Sequence, residues 1–166
     1  MNEHAVLLSL GSNLGDRLGM LRRAVETLKR NGVAVTDLSR VYETRPWGMT
    51  DQPLFLNICA KARTEFDPRQ LLALLKDIES GLGRRGGKRW GPREIDIDII
   101  FYDRIVYKDE SLVIPHPHMH ERGFVLAPLS EIAPGYIHPL FSKSVAELLS
   151  GLSGREKDDM IWITKL

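Results

Sequence analysis

The spacing of apolar side chains divides this chain into elements before any chemistry is considered. Residues 5–10 form a short apolar run, the pattern of a buried strand. Leu14, Leu18, Leu21, Val25 and Leu28 then recur at helical spacing. Ser12, Asn13 or Asp16 can cap that helix, and Gly32 can end it. The glycine turn before it lacks the established phosphate-loop patterns and reads mainly as capping structure. A second strand is predicted over 33–42, followed by a loop over 44–53 that holds Pro46, Gly48 and Pro53. Residues 54–63 alternate. Leu54, Leu56, Ile58, Ala60 and Ala62 take one face, and Phe55, Asn57, Cys59, Lys61 and Arg63 take the other. Asp67 and Pro68 open a second helix, as N-cap and first residue, with Leu71, Leu75, Ile78 and Leu82 as its buried stripe. Ile95, Ile97 and Ile99 mark one face of a further strand.

This order, β-α-β-β-α-β, is the split-βαβ or ferredoxin-like arrangement. The expected fold is therefore α+β, a mainly antiparallel sheet packed with helices. C-terminal additions follow the core. They are a short strand over 105–107, residues 112–114, a buried apolar segment over 125–132, a capped helix over 144–152 and a last strand over 160–164.

Composition narrows the function classes. A chain of 166 residues, 43% apolar and 27% charged, is expected to form one domain, residues 1–166. Its net charge of +1 gives no global pull toward nucleic acid or membrane. The single cysteine, Cys59, cannot close an internal disulfide and suits a reducing, cytoplasmic location. No apolar run has transmembrane length and no signal peptide is evident, and a monomer is expected.

Candidate chemistry concentrates between Arg84 and Ile100. Arg84, Arg85, Lys88, Arg89 and Arg93 crowd a glycine-rich stretch with no acid before Glu94. On the strand that follows, Asp96 and Asp98 share the face opposite the isoleucines. Carboxylates so close repel unless a cation lies between them, and oxygen ligands that leave room for phosphate suit Mg²⁺. An edge strand with two solvated aspartates is the plain alternative, although Asp is depleted in strands. Phe55 beside Asn57 suits a flat heterocycle with a donor–acceptor edge, and equally a half-exposed aromatic next to a polar strand residue. Glu79 lies near a helix end, where the dipole does not favour an acid, so either a ligand contact or surface exposure fits. His116, His118 and His120 alternate but lack a neighbouring cysteine, and prolines interrupt them. Cationic or hydrogen-bonding contacts from His116 and Arg122 to phosphate are the more economical reading.

The run Arg89-Trp90-Gly91-Pro92-Arg93-Glu94-Ile95-Asp96-Ile97-Asp98-Ile99-Ile100 resembles the signature of the 6-hydroxymethyl-7,8-dihydropterin pyrophosphokinase family. The likeness extends to Gly11-Ser12-Asn13-Leu14-Gly15-Asp16-Arg17, to Thr44, Pro46 and Gly48, and to Gln52-Pro53-x-Phe55-x-Asn57. It continues through Gly83-Arg84, Pro115-His116-Pro117, Met119, Arg122 and Phe124. The resemblance implies a folate-pathway enzyme that moves the β,γ-pyrophosphoryl group of ATP to the pterin hydroxymethyl and releases AMP. It implies two Mg²⁺ ions on Asp96 and Asp98, and a pterin stacked between Phe55 and Phe124. Asn57 would read the ring edge, with Thr44 and Trp47 completing the pocket. Arg84, Trp90 and Arg93 would act from the basic loop and its base. Glu79, Arg84, Arg93, His116 and Arg122 would attend ATP.

Two departures stand out. The basic loop is one residue shorter than in some relatives, and His118 replaces a common arginine. A nucleic-acid-binding module shares the strand order and is the alternative of a different class, with Trp90 as a stacking platform. Asp96 and Asp98 oppose it, because they repel phosphate in the absence of a metal. A regulatory nucleotide-binding domain without chemistry is compatible with the composition.

Overall fold

The central strand is β1 (His4–Ser12), and its sequence explains why: from Val6 to Ser12 every residue is buried. In the computed structural model, which describes residues 2–87, 89–154 and 160–166, β1 pairs antiparallel with β5 (Asp96–Tyr102) on one side and β4 (Phe55–Thr64) on the other. The sheet order is β5-β1-β4-β3-β8, with β3 (Val41–Thr44) and β8 (Met160–Thr164) beyond β4. The split-βαβ core is thus present, extended by a terminal edge strand.

The second strand differs from expectation. The predicted strand over 33–42 is two strands, β2 (Val33–Leu38) and β3, both paired with β4. The interruption centres on Ser39. Its N–H donates to the Cys59 carbonyl at 3.0 Å, and its hydroxyl accepts from the Cys59 N–H at 2.9 Å. A side-chain oxygen takes the place of a backbone acceptor there, so the chain stays docked while the ladder is broken.

Helices α1 (Arg17–Arg30) and α2 (Pro68–Gly81) cover one face of the sheet. Leu21, Val25 and Leu28 of α1 and Leu71, Leu75 and Ile78 of α2 pack with Leu8, Leu10, Ile58, Ile97 and Ile99. Asp16 caps α1 by accepting from the Gly19 N–H at 3.0 Å. Asp67 caps α2 in a reciprocal box with Gln70.

The other face is only half covered. The apolar segment over 125–132 is helical, within α3 (Gly123–Ile132), and Val125, Leu126 and Leu129 pack on Leu7, Cys59, Ile100 and Phe101. Helix α4 (Val145–Ser150) adds Val145 and is capped by Ser144. Short strands β6 (Tyr107–Lys108) and β7 (Val113–Ile114) form a separate pair, so the strand expected over 105–107 begins later. Ile105 instead closes a turn onto the Tyr102 carbonyl. What α3 leaves open is the end of the sheet where Gly11, Asn57, Asp96 and Asp98 meet.

Candidate active site

The open floor is set by strand register. Gly11 of β1 pairs with Asp96 of β5 on one side and Asn57 of β4 on the other. One step along, Ser9 pairs with Asp98 and Cys59. Because successive side chains alternate, all of these point to the same face. Gly11 has a steric reason to be glycine: a Cβ there would stand 2.6 Å from Asn57 Oδ1 and 3.5 Å from the Phe55 ring.

On the β4 side of Gly11 the walls are aromatic and amide. Asn57 is buried and donates from Nδ2 to Thr44 Oγ1 at 2.6 Å. Phe55, Trp47, Thr44 and Phe124 line the same cavity, with Ser9 and Gly11 as its floor.

On the β5 side the walls are charged. A second cavity is lined by Arg84, Arg89, Trp90, Arg93, Asp96, Asp98, His116 and Arg122. Asp98, Asp96, Arg93, Trp90 and Arg122 line both cavities, so the two compartments are continuous. Arg84 donates to Asp96 Oδ1 at 3.0 Å, and Arg93 donates to Asp96 Oδ2 at 3.0 Å. Desolvation, and then the Asp96 carboxylate, raise the Asp98 pKa to about 7. A shared cation would relieve both effects.

Glu79 lines neither cavity. It is buried under the strand, where Oε1 accepts the Ile97 N–H at 2.8 Å and Oε2 accepts from Arg84. Its pKa is raised, chiefly by desolvation. Whatever it does for a nucleotide, it does through Arg84 and the backbone of β5.

His116 accepts the His118 N–H on Nδ1 at 3.1 Å, which leaves Nε2 3.9 Å from Asp98 Oδ2. Desolvation, followed by the Arg122 charge, lowers its pKa to about 3. With Nδ1 accepting, Nε2 is the ring atom placed to donate. Arg122 is the cation here. Its guanidinium lies 4.5 Å from the Trp47 ring centroid and 5.5 Å from that of Phe124, and its Nε is a buried donor with no acceptor among the described residues. A buried guanidinium at the junction of the cavities with an unused donor suits an anionic oxygen.

A divalent metal fits this donor set in a limited way. Among the described residues no group of three or more His, Cys, Asp and Glu side chains could hold a metal ion. Asp96 and Asp98 alone supply two carboxylates, the number Mg²⁺ takes from a protein when phosphates and water complete its shell.

Trp90 stands between the compartments in a left-handed conformation, φ 62°. Its ring packs edge-on to Trp47 with centroids 5.3 Å apart, and a Cβ on Gly48 would meet it at 2.9 Å. Arg89 lies 4.8 Å from the Trp90 ring centroid. Lys88, named with the basic loop, lies outside the described residues. The structure thus brings together Thr44, Trp47, Phe55, Asn57, Arg84, Trp90, Arg93, Asp96, Asp98, His116, Arg122 and Phe124. Periodicity missed Ser9, which reads as part of an ordinary buried strand, and Gly11, Asn13 and Gln52, which read as turn or loop residues.

Residues 7–134 match the family model described as 7,8-dihydro-6-hydroxymethylpterin-pyrophosphokinase. The chain is 46% identical over 153 residues to 2-amino-4-hydroxy-6-hydroxymethyldihydropteridine pyrophosphokinase of Methylorubrum extorquens, covering 90% of this chain and 96% of that protein. It is 42% identical over 142 residues to the protein of the same name from Aquifex aeolicus, covering 86% and 88%. It is also 46% identical over 130 residues to a mitochondrial folate synthesis bifunctional protein of Arabidopsis thaliana, covering 78% of this chain but 24% of that protein. A solved Plasmodium falciparum HPPK-DHPS variant with pterin and p-hydrobenzoate superposes with a TM-score of 0.74 at 16% identity, over 98% of this chain and 48% of that one. At that identity the likeness speaks for the fold.

Proposed function

The chain belongs to the 7,8-dihydro-6-hydroxymethylpterin-pyrophosphokinase family, and from that premise we propose how its residues divide the work of pyrophosphoryl transfer in folate biosynthesis. The substrates are ATP and 6-hydroxymethyl-7,8-dihydropterin. The hydroxymethyl oxygen forms a bond to the β-phosphorus as the bond from that phosphorus to the α–β bridging oxygen breaks, and AMP leaves.

The pterin occupies the aromatic compartment between Phe55 and Phe124. Asn57, fixed by Thr44, meets its polar edge, and Trp47 closes the side. This directs the hydroxymethyl past Gly11 toward Asp96 and Asp98. The triphosphate occupies the charged compartment, where Arg84, Arg93 and Arg122 neutralise it and His116 donates from Nε2. Arg84 and Arg93, which ion-pair with Asp96, exchange that carboxylate for phosphate as the nucleotide enters. Asp96 and Asp98 would hold two Mg²⁺ ions, whose contribution when bound is to draw phosphate oxygens together and offset charge developing on them. Glu79 positions Arg84. Such transfers require chiefly alignment and charge neutralisation, which this arrangement supplies.

The observation that carries this reading is the junction: an amide-and-aromatic compartment and a cationic one meet at a pair of carboxylates. The nucleic-acid alternative lacks support, because α3 covers much of the sheet face that such modules keep open. We read residues 1–166 as one pyrophosphokinase domain, acting as a cytoplasmic monomer. No helix among the described residues is long and apolar enough to cross a membrane. The test is a single-turnover assay with Mg²⁺-ATP and the reduced pterin. AMP formed in step with pterin consumption supports the reading, and ADP in its place contradicts it.

A further inference from the structure

The turn after β1 contains a residue that the reading above leaves without a role. Asn13 is 2% exposed, and it does not cap α1, because Asp16 does. Instead its side chain is fully committed to two other segments. Oδ1 accepts the Arg93 N–H at 2.9 Å, and the Asn13 N–H donates to the Arg93 carbonyl at 3.2 Å. Nδ2 donates to Gln52 Oε1 at 2.9 Å and to the Pro53 carbonyl at 3.0 Å. Gln52 carries the connection on, donating from Nε2 to the Met49 carbonyl at 2.6 Å and to the Trp90 carbonyl at 2.8 Å.

The two segments meet at the aromatic compartment, and the second reaches the charged one as well. Thr44 ends β3 and Trp47 lies in the loop before β4, and both line only the aromatic cavity of the two, whereas Arg93 and Trp90 line both. Arg93 also ion-pairs with Asp96 at 3.0 Å. Asn13 is anchored at the end of the central strand, the most buried strand in the sheet. One amide, held at the end of the central strand, therefore ties the loop before β4, which lines the aromatic compartment, to the Trp90–Arg93 segment, which also lines the charged one.

We propose that Asn13 is a positioning residue that couples the two substrate sites, so that ordering of either loop by its ligand favours ordering of the other. The proposal rests on the reading of the two compartments given above. Its physical basis is that a ligand which fixes one loop has already met part of the ordering cost of the second, because the Asn13–Gln52 link transmits the constraint. Asn13 lines neither cavity, so its loss acts on the coupling and on turnover more than on binding of one ligand alone.

Asn13→Asp makes a selective cut. The carboxylate still accepts the Arg93 N–H, but both donors to Gln52 and Pro53 disappear, and an oxygen faces their acceptors. Gln52→Glu cuts the other end. It keeps the acceptor for Asn13 and removes the donors to Met49 and Trp90. The experiment is calorimetric titration of 6-hydroxymethyl-7,8-dihydropterin, with Mg²⁺ and with or without α,β-methylene ATP, on wild type and both variants. In the wild type the analogue tightens pterin binding by a coupling factor of roughly 5 to 150. In each variant that factor falls by roughly threefold or more, the Trp47–Trp90 packing carrying what remains, while affinity for either ligand alone stays within about threefold. A factor retained in both variants overturns the proposal. So does a parallel loss of both single-ligand affinities and melting temperature, which would make Asn13 a purely structural residue. A wild type that binds no pterin overturns the reading of the compartments, and the proposal with it.

Discussion

Asn57 and Asp96 never touch, yet their separation is fixed: each is the register partner of Gly11, from opposite sides. Two strand spacings of about 4.8 Å each lie between their backbones, with a residue lacking a side chain in the gap. On the proposed reading one end meets a heterocycle edge and the other phosphate, so the strand spacing would set the distance between the two subsites.

Gly11→Ala tests this arrangement. The new Cβ would meet Asn57 Oδ1 at 2.6 Å, and Asn57 cannot retreat without losing Thr44. Overpacking of this kind costs roughly 1–3 kcal/mol. Pterin affinity is expected to fall by about tenfold or more on that scale, with nucleotide-analogue affinity nearly unchanged. Titration calorimetry with each ligand separately checks the asymmetry.

Asp96→Asn and Asp98→Asn each remove one charge at almost constant volume. Turnover should fall by orders of magnitude, since electrostatic terms at such sites are worth several kcal/mol. Melting temperature should not fall for Asp98→Asn, because the substitution removes the repulsion between that carboxylate and Asp96. Near-normal turnover in both variants at ordinary Mg²⁺ would remove the pair from the reaction.

Asn57→Ala leaves both the Thr44 hydroxyl and the ring edge of the substrate without a partner in a closed pocket. A buried unsatisfied group costs about 1–3 kcal/mol. The expected result is weaker pterin binding at constant ATP affinity. Loss of ATP affinity first would reassign that side of the site.

Arg122→Lys separates charge from shape. Lysine keeps the cation but not the planar surface that lies 4.5 Å from the Trp47 centroid. Turnover should drop at least tenfold, while Arg122→Ala should drop further because the charge is lost too. Equal rates for Arg122→Lys and wild type would mean that charge alone suffices.

The parts of this account legible in the sequence are those with a local pattern. Ile95, Ile97 and Ile99 alternate in the sequence and are buried together, which puts Asp96 and Asp98 on the opposite face. The Asp67-Pro68 start of α2 is a contiguous signal, and the capping box is there. The break at Ser39 was not legible, because it depends on Cys59, a residue far along the chain. Helix α3 carries Pro128 in its interior, which hides it from pattern reading. Asn13 and Gln52 gave no signal of their own role, because their meaning lies in hydrogen bonds across 39 positions and not in spacing. Phe55 and Asn57 were ambiguous by periodicity; register supplied the missing fact, that Gly11 lies beside them.

The most direct measurement follows the bond that breaks. ATP labelled with ¹⁸O at the α–β bridging position is incubated with Mg²⁺, the reduced pterin and the protein, and the products are weighed by mass spectrometry. Attack on the β-phosphorus leaves the label in AMP and gives an unlabelled pterin pyrophosphate. ADP as the nucleotide product, or AMP without the label, would contradict the account.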